Sequence, residues 1–261
     1  MSRALPEVNK DPTQVALVTG GSRGIGRAIV EMLASRGYRV LFTYANREND
    51  AAVVESAVKS AGGEAKKLRA DVADEKSANA VVQSALDAFG RIDVLVNNAG
   101  THLPDVSIAD TSPEDWDRVL RVNLYGTFHM VQAVLPHMRA RKGGNIVNLS
   151  SNITSRFAAR NCVYTVSKVG VEALTRILSK EEGRNGIRVN AVAPGPIRTD
   201  MLEETMVKIG PERAEAFIKS VPLGRKGEPK EIAEAVAFLV SDAASYMTGQ
   251  IVFVNGGGPG S

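Results

Sequence analysis

Val15-Ala16-Leu17-Val18-Thr19-Gly20-Gly21-Ser22-Arg23-Gly24-Ile25-Gly26 is the stretch on which the fold turns. Val15 to Thr19 is a short apolar, β-branched run, the pattern of a buried strand. From Ile25 the period changes: Ile25, Ala28, Ile29, Met32 and Leu33 recur at helical spacing on one face. Between strand and helix lie glycines in the order G-x-x-x-G-x-G, which let the backbone turn tightly and come close to a pyrophosphate. The helix start behind them offers free N–H groups and the positive end of a dipole. The spacing differs from the general G-x-G-x-x-G fingerprint, and a glycine turn alone is also compatible with a ligand-free bend.

The same alternation continues along the chain. Val40 to Tyr44, Ala65 to Ala70, Asp93 to Asn97, Asn145 to Leu149, Arg188 to Ala193 and Ile251 to Val254 make seven strand candidates with the first. Between them lie amphipathic stripes such as Ala78, Val81, Val82, Ala85, Leu86 and Phe89, or Ile232, Ala235, Val236 and Leu239. Val163, Val166, Gly170, Leu174 and Ile177 form another stripe of helical period. Right-handed crossovers put such helices on both faces of a parallel sheet. The expected fold is α/β, a single Rossmann-like doubly wound domain with a seven-stranded parallel sheet over residues 13–258, after an N-terminal tail of residues 1–12. Residues 194–227 break the rhythm with no strand and with helical character around Met201 to Lys219, as a substrate loop or lid would.

Composition narrows the function. The 261 residues are 44% hydrophobic, and 32 basic against 29 acidic side chains give a net charge of +3. These charges are mixed, and Arg139, Arg141 and Lys142 read as the charged end of a helix, so no nucleic acid is expected as a partner. The one cysteine, Cys162, forms no disulfide within the chain, and the three histidines lack ligand spacing, so no metal is expected. Met1 to Pro12 has no apolar run, and no stretch approaches the ~20 apolar residues of a membrane span. A soluble, cytoplasmic protein with no membrane contact is expected.

The second strand ends Phe42-Thr43-Tyr44-Ala45-Asn46-Arg47 without the acid that NAD sites place on the ribose 2′-hydroxyl. Glu48 and Asp50 fit better as first-turn acids of the next helix. Arg23 and Arg47 are placed to meet a 2′-phosphate, with Tyr44 and Asn46 beside them, so NADP(H) is expected over NAD(H). The alternative is a solvated Arg47 with no ligand.

Tyr164-Thr165-Val166-Ser167-Lys168 carries the expected chemistry. Residues i and i+4 share a helix face, so the phenol and the ammonium project together. A nearby cation lowers a phenol pKa toward the range useful for proton transfer. The pair alone is a common accident. Ser150-Ser151 at the end of one strand and Asn97-Asn98-Ala99-Gly100 at the end of another fall where parallel strands open into a ligand crevice, and Asn123 lies in the helical segment that follows. Cys162 reads as a space-filling thiol, His129 and His137 as helix residues, and His102 as either a loop residue or a substrate contact. Trp116 reads as a packing anchor behind an N-cap at Ser112-Pro113.

With TGGSRGIG (Thr19 to Gly26), Asp71-Val72, NNAG (Asn97 to Gly100), Asn123, Ser151, YTVSK (Tyr164 to Lys168) and PGPIRT (Pro194 to Thr199) in this order, the chain resembles the short-chain dehydrogenase/reductase family from Gln14 to Gly257. The resemblance implies a catalytic group of Asn123, Ser151, Tyr164 and Lys168: Tyr164 as acid/base, Lys168 as its activator and ribose ligand, Ser151 holding the substrate oxygen, and Asn123 anchoring a relay water. It implies a cofactor site of Gly20, Ser22, Arg23, Gly24, Ile25 and Gly26, with Asp71 and Val72 at the adenine, Asn97, Ala99 and Gly100 by the ribose, and Pro194, Gly195, Ile197 and Thr199 by the nicotinamide. It also implies a homotetramer. The length and the segments Val221 to Arg225 and Met247 to Gln250 are similar to 3-oxoacyl-[acyl-carrier-protein] reductases, whereas Thr101 to Ser112 and Ser151 to Tyr164 depart from them. Reduction of a small or cyclic ketone is therefore the expectation. An acyl-carrier substrate is the alternative, and a non-catalytic NADPH-binding sensor or scaffold is the reading from another class.

Overall fold

The apolar runs do become strands. A computed structural model of the chain describes residues 13–258, so the expected tail of residues 1–12 lies outside the described residues. The strands are β1 (Val15–Val18), β2 (Arg39–Tyr44), β3 (Glu64–Arg69), β4 (Val94–Asn97), β5 (Gly144–Leu149), β6 (Ile187–Pro194) and β7 (Ile251–Val254). All six pairings are parallel, in the order β3-β2-β1-β4-β5-β6-β7. Expected strand bounds agree to within a residue. β1 and β4 are buried along their whole length, as continuous apolar strands in a covered sheet must be. β3 (EAKKLR) is the polar exception because it is an edge, where lysines discourage further pairing.

The helices are α1 (Gly24–Ser35), α2 (Glu48–Ser60), α3 (Glu75–Phe89), α4 (Pro113–Leu120), α5 (Gly126–Arg141), α6 (Ile153–Arg156), α7 (Cys162–Glu182), α8 (Asp200–Ile209), α9 (Pro211–Lys219) and α10 (Pro229–Val240). One core, with Ile29, Leu33, Val54 and Val236, lies under α1, α2 and α10; the other, with Val81, Met130, Val134 and Leu178, lies under α3, α5 and α7. Ser112 caps α4 by accepting from the Asp115 N–H at 3.0 Å, as its sequence implied. At the end of α5, Arg139 pairs with the buried Glu182 and Arg141 with Asp93, so these cations are spent within the fold.

Two local features depart from the sequence reading. The Val163–Ile177 stripe is not the buried face of α7: Val166 is 44% and Ile177 53% exposed. The face toward the sheet carries Ser167, Lys168, Val171, Glu172 and Thr175 instead, and its polar members are hydrogen-bonded, which is what makes their burial tolerable. Arg121–Tyr125, between α4 and α5, is a π turn. Such single wide turns re-aim side chains and recur at functional sites.

The order of the sheet reverses between β1 and β4: β2 and β3 run to one side of β1, and β4 onward to the other. Loops leaving the two carboxyl ends diverge there and open a crevice, the usual ligand position in such sheets.

Candidate active site

The glycine turn leaves β1 into this crevice. Gly20 (φ 67°) and Gly24 (φ 54°) adopt left-handed backbone that side chains resist. Gly26 is needed for space: a Cβ there would stand 2.1 Å from the Gly20 carbonyl oxygen and 2.4 Å from Asn98 Nδ2. Asn98 pins the turn, its Nδ2 donating to the Thr19 and Gly20 carbonyls at 2.9 Å each. The Thr19 hydroxyl accepts in return from the Asn98 and Ala99 N–H groups. No side chain caps the start of α1, so its first N–H groups are available to an anion.

The turn lines one end of a cavity of about 880 Å³, within the size range of cofactor and ligand sites. Gly20, Ser22, Arg23, Gly24, Ile25 and Gly26 border it, with Tyr44, Asn46, Arg47, Asp71 and Val72 at the β2 and β3 ends. Ala99, Gly100, Ser151, Tyr164, Lys168, Pro194, Gly195, Ile197 and Thr199 also line it, as do Met201, Leu202, Ile209 and Phe217 of α8 and α9. The lid segment of the sequence thus bounds this cavity with an apolar surface.

Asn97 is not brought there. It is buried, and its Nδ2 donates to Asn148 Oδ1 at 2.9 Å within the sheet. Neighbouring residues of a strand face opposite sides, and here Asn98 takes the crevice side. Asn98 was missed as a site residue for the same reason, since NNAG does not say which asparagine faces out. Asn123 also lies behind the wall. Its Nδ2 donates to the Thr101 carbonyl and to Ser167 Oγ, each at 2.9 Å, and its Oδ1 accepts from the Thr101 N–H at 2.8 Å. The π turn presents Asn123 so that it ties the loop after β4 to α7, one residue before Lys168. Its side chain positions the site rather than touching the cavity.

At the wall that carries Tyr164 and Lys168, Ser150 and Ser151 are placed differently. Ser150 is buried and donates to Glu172 Oε1 at 2.7 Å; Ser151 Oγ accepts from the Ile153 N–H at 3.3 Å and lines the cavity with Tyr164. Lys168 donates from Nζ to the Leu149 carbonyl at 2.7 Å and stands 5.9 Å from the centroid of the Tyr164 ring.

Burial dominates the electrostatics. It pushes the Tyr164 phenol up from its ordinary value, while the nearby Ser151 side chain pulls the other way. Burial also brings Lys168 down to about 8. His102 reaches the cavity: its ring lies edge-on to Tyr164 at 6.5 Å, Nε2 is 3.2 Å from Thr205 Oγ1 of α8, and burial lowers its pKa.

The two arginines differ. Arg23 Nη1 is 2.5 Å from Asp200 of α8, whereas Arg47 has only a loose contact to Asp50 at 3.8 Å. Glu48 is occupied by Lys67 at 3.0 Å, which holds its carboxyl below the usual range, so it is committed to α2 and β3 as expected.

Comparison with known proteins agrees with this geometry. A family model described as Enoyl-(Acyl carrier protein) reductase (adh_short_C2) matches residues 20–258. The 3-oxoacyl-[acyl-carrier-protein] reductase FabG of Staphylococcus aureus is 40% identical over 245 residues, covering 94% of this chain and 98% of that protein. The FabG of Thermotoga maritima is 40% identical over 248 residues, with 94% and 97% covered. Among solved structures, levodione reductase superposes with a TM-score of 0.90 at 38% identity, covering 94% of this chain and 97% of that one. With its parallel sheet, glycine turn and Y-x-x-x-K wall, this chain belongs to the short-chain dehydrogenase/reductase family, as oxidoreductases acting on carbonyl and hydroxyl groups.

Proposed function

We propose that the protein reduces a ketone to a secondary alcohol, reversibly, with NADPH, and that Tyr164 is the proton donor. The observation that carries this reading is the single cavity shared by the glycine turn, Ser151, Tyr164 and Lys168. The residues fit a nicotinamide dinucleotide: glycines stand where a Cβ would clash, and the uncapped start of α1 suits a pyrophosphate. When bound, that group supplies a hydride. Ser151 orients the carbonyl oxygen toward the phenol, and Tyr164 gives its proton to that oxygen. Lys168, held by the Leu149 carbonyl, positions the ribose and favours return of a proton to the phenol. Asn123 keeps α7 and the loop after β4 in register. The remaining site residues named above hold the dinucleotide, except Asn97, which acts inside the sheet.

NADPH is the cofactor because the end of β2 offers Arg47 and no free acid, and Arg23 lines the same cavity. We expect Arg47→Ala to weaken NADPH by roughly 10- to 100-fold, as loss of a charge-assisted contact does, and to leave NADH unchanged. Steady-state kinetics with both cofactors check this; a wild-type preference for NADH would overturn it.

The names of the relatives favour a second substrate, a 3-oxoacyl thioester on an acyl-carrier protein. NADPH oxidation against a panel of ketones, diketones and acyl thioesters decides between the two. The protein acts on its small-molecule substrate in the cytoplasm, and among the described residues no helix is long and apolar enough to cross a membrane. The apolar surface shared by the π turn, α5 and α7, with Leu124, Tyr125, Phe128 and Ile177, supports assembly as a homotetramer through these elements. Light scattering should give four times the chain mass, and Phe128→Glu should lower it; a wild-type monomer would refute assembly.

A further inference from the structure

The charged side chains around the cavity are almost all engaged with protein partners. Arg23 pairs with Asp200 and Arg213 with Asp105, Lys168 holds the Leu149 carbonyl, Asp71 accepts from the Ala73 N–H, and Arg47, already assigned to the cofactor, has a loose contact to Asp50. Arg156 differs. It ends α6, the single turn that opens two residues after Ser151, and it lines the same cavity. Its guanidinium lies over the Phe217 ring, 4.8 Å from the centroid, and its side chain has no hydrogen bond or ion pair among the described residues. It is partly buried, and desolvation is the sole cause acting on its pKa, which falls.

No carboxylate is at hand to meet it. Asp105 is already shared by Arg160 and Arg213. Arg213 and Phe217 lie one turn apart on α9, so Arg156 and Arg213 approach one part of the wall from two elements. The chain leaves Arg156 through Phe157 in left-handed backbone (φ 46°), a conformation that costs a non-glycine residue ~1–2 kcal/mol and that tends to persist where function needs it. A guanidinium held over a ring with no hydrogen-bond partner keeps its donors free, and that fork matches an oxyanion.

We propose that Arg156, seated on Phe217, is an oxyanion subsite, and that the ketone this protein reduces carries a carboxylate a short spacer from its carbonyl. The proposal rests on the ketone-reductase reading and names its substrate class. The Cα of Arg156 is within roughly two helix turns of Ser151, about 10 Å, a reach suited to an anion on the substrate itself. The phosphate of a carrier-borne thioester arm is the other source of the same chemistry.

The test is kcat/KM with NADPH for straight-chain methyl-ketone carboxylates of increasing length and for their methyl esters. The wild type should favour one acid over its ester by roughly 10- to 100-fold. Arg156→Gln and Arg156→Lys should reduce or abolish that ratio while ester turnover and thermal melting stay unchanged. Equal use of acid and ester, or a ratio that survives Arg156→Gln, overturns the proposal. So does an Arg156-dependent preference confined to acetoacetyl phosphopantetheine over acetoacetyl N-acetylcysteamine. If no ketone is turned over, the functional reading falls, and calorimetric titration of pentanoate against pentanamide into NADPH-loaded protein still decides the subsite. Arg156-dependent binding of pentanoate alone supports it; equal binding overturns it.

Discussion

Tyr164→Phe should lower kcat by roughly 100- to 10,000-fold, the usual worth of a positioned general acid, while cofactor binding measured by fluorescence titration stays as in the wild type. The change removes one oxygen and keeps the ring that packs against His102. Burial holds the phenol in its protonated form at neutral pH, the form a proton donor needs. Lys168 sets the alkaline limit. Its ammonium is penalised by burial and loses its proton as pH rises through about 8, so ketone reduction should decline above that pH. Unchanged turnover in Tyr164→Phe would remove the phenol from the chemistry. A wild type that binds NADPH and reduces nothing would favour the sensor or scaffold.

Gly26→Ala should destabilise the fold by about 3 kcal/mol or more, as overpacking against atoms that cannot yield does. That corresponds to a fall in Tm of roughly 6–12 °C for a domain of this size. The new Cβ would overlap the Gly20 carbonyl and Asn98 Nδ2, at 2.1 and 2.4 Å. Neither can retreat, because the Asn98 amide is bonded to that same carbonyl and to Thr19. Relief requires opening the turn, so NADPH affinity should fall with stability. Gly143→Ala is the control, since a Cβ there meets nothing within 4 Å. Equal melting of the two variants would show that the turn is looser than its contacts imply.

The sheet was legible in the sequence because parallel strands buried on both faces are written as continuous apolar runs, as in Val15–Val18 and Val94–Asn97. That Tyr164 and Lys168 face one cavity was legible because one helical turn separates them. What failed depended on partners distant in the chain. Ser167, Glu172 and Thr175 are polar residues whose burial depends on Asn123, Ser150 and Asn148 being brought to them, so the sequence does not announce the buried face of α7. Apolar Val166 and Ile177 look like core residues, yet they are exposed. The π turn at Arg121–Tyr125 is a change of hydrogen-bond register, for which composition has no sign. Arg156 drew no notice because Phe217, which makes it distinctive, lies on another element.

The sheet order also has a meaning in time. Translation delivers β1, β2 and β3 before β4, the strand that completes the other side of β1. During that interval the Val15–Val18 segment presents an unpaired apolar edge, the kind of surface that invites association with other chains. The glycine turn emerges at the same stage, and Asn98, which clamps it, follows 78 residues behind Gly20. A ribosome that pauses between β3 and β4 therefore holds out a half-sheet whose nucleotide-binding turn has been made but not yet locked.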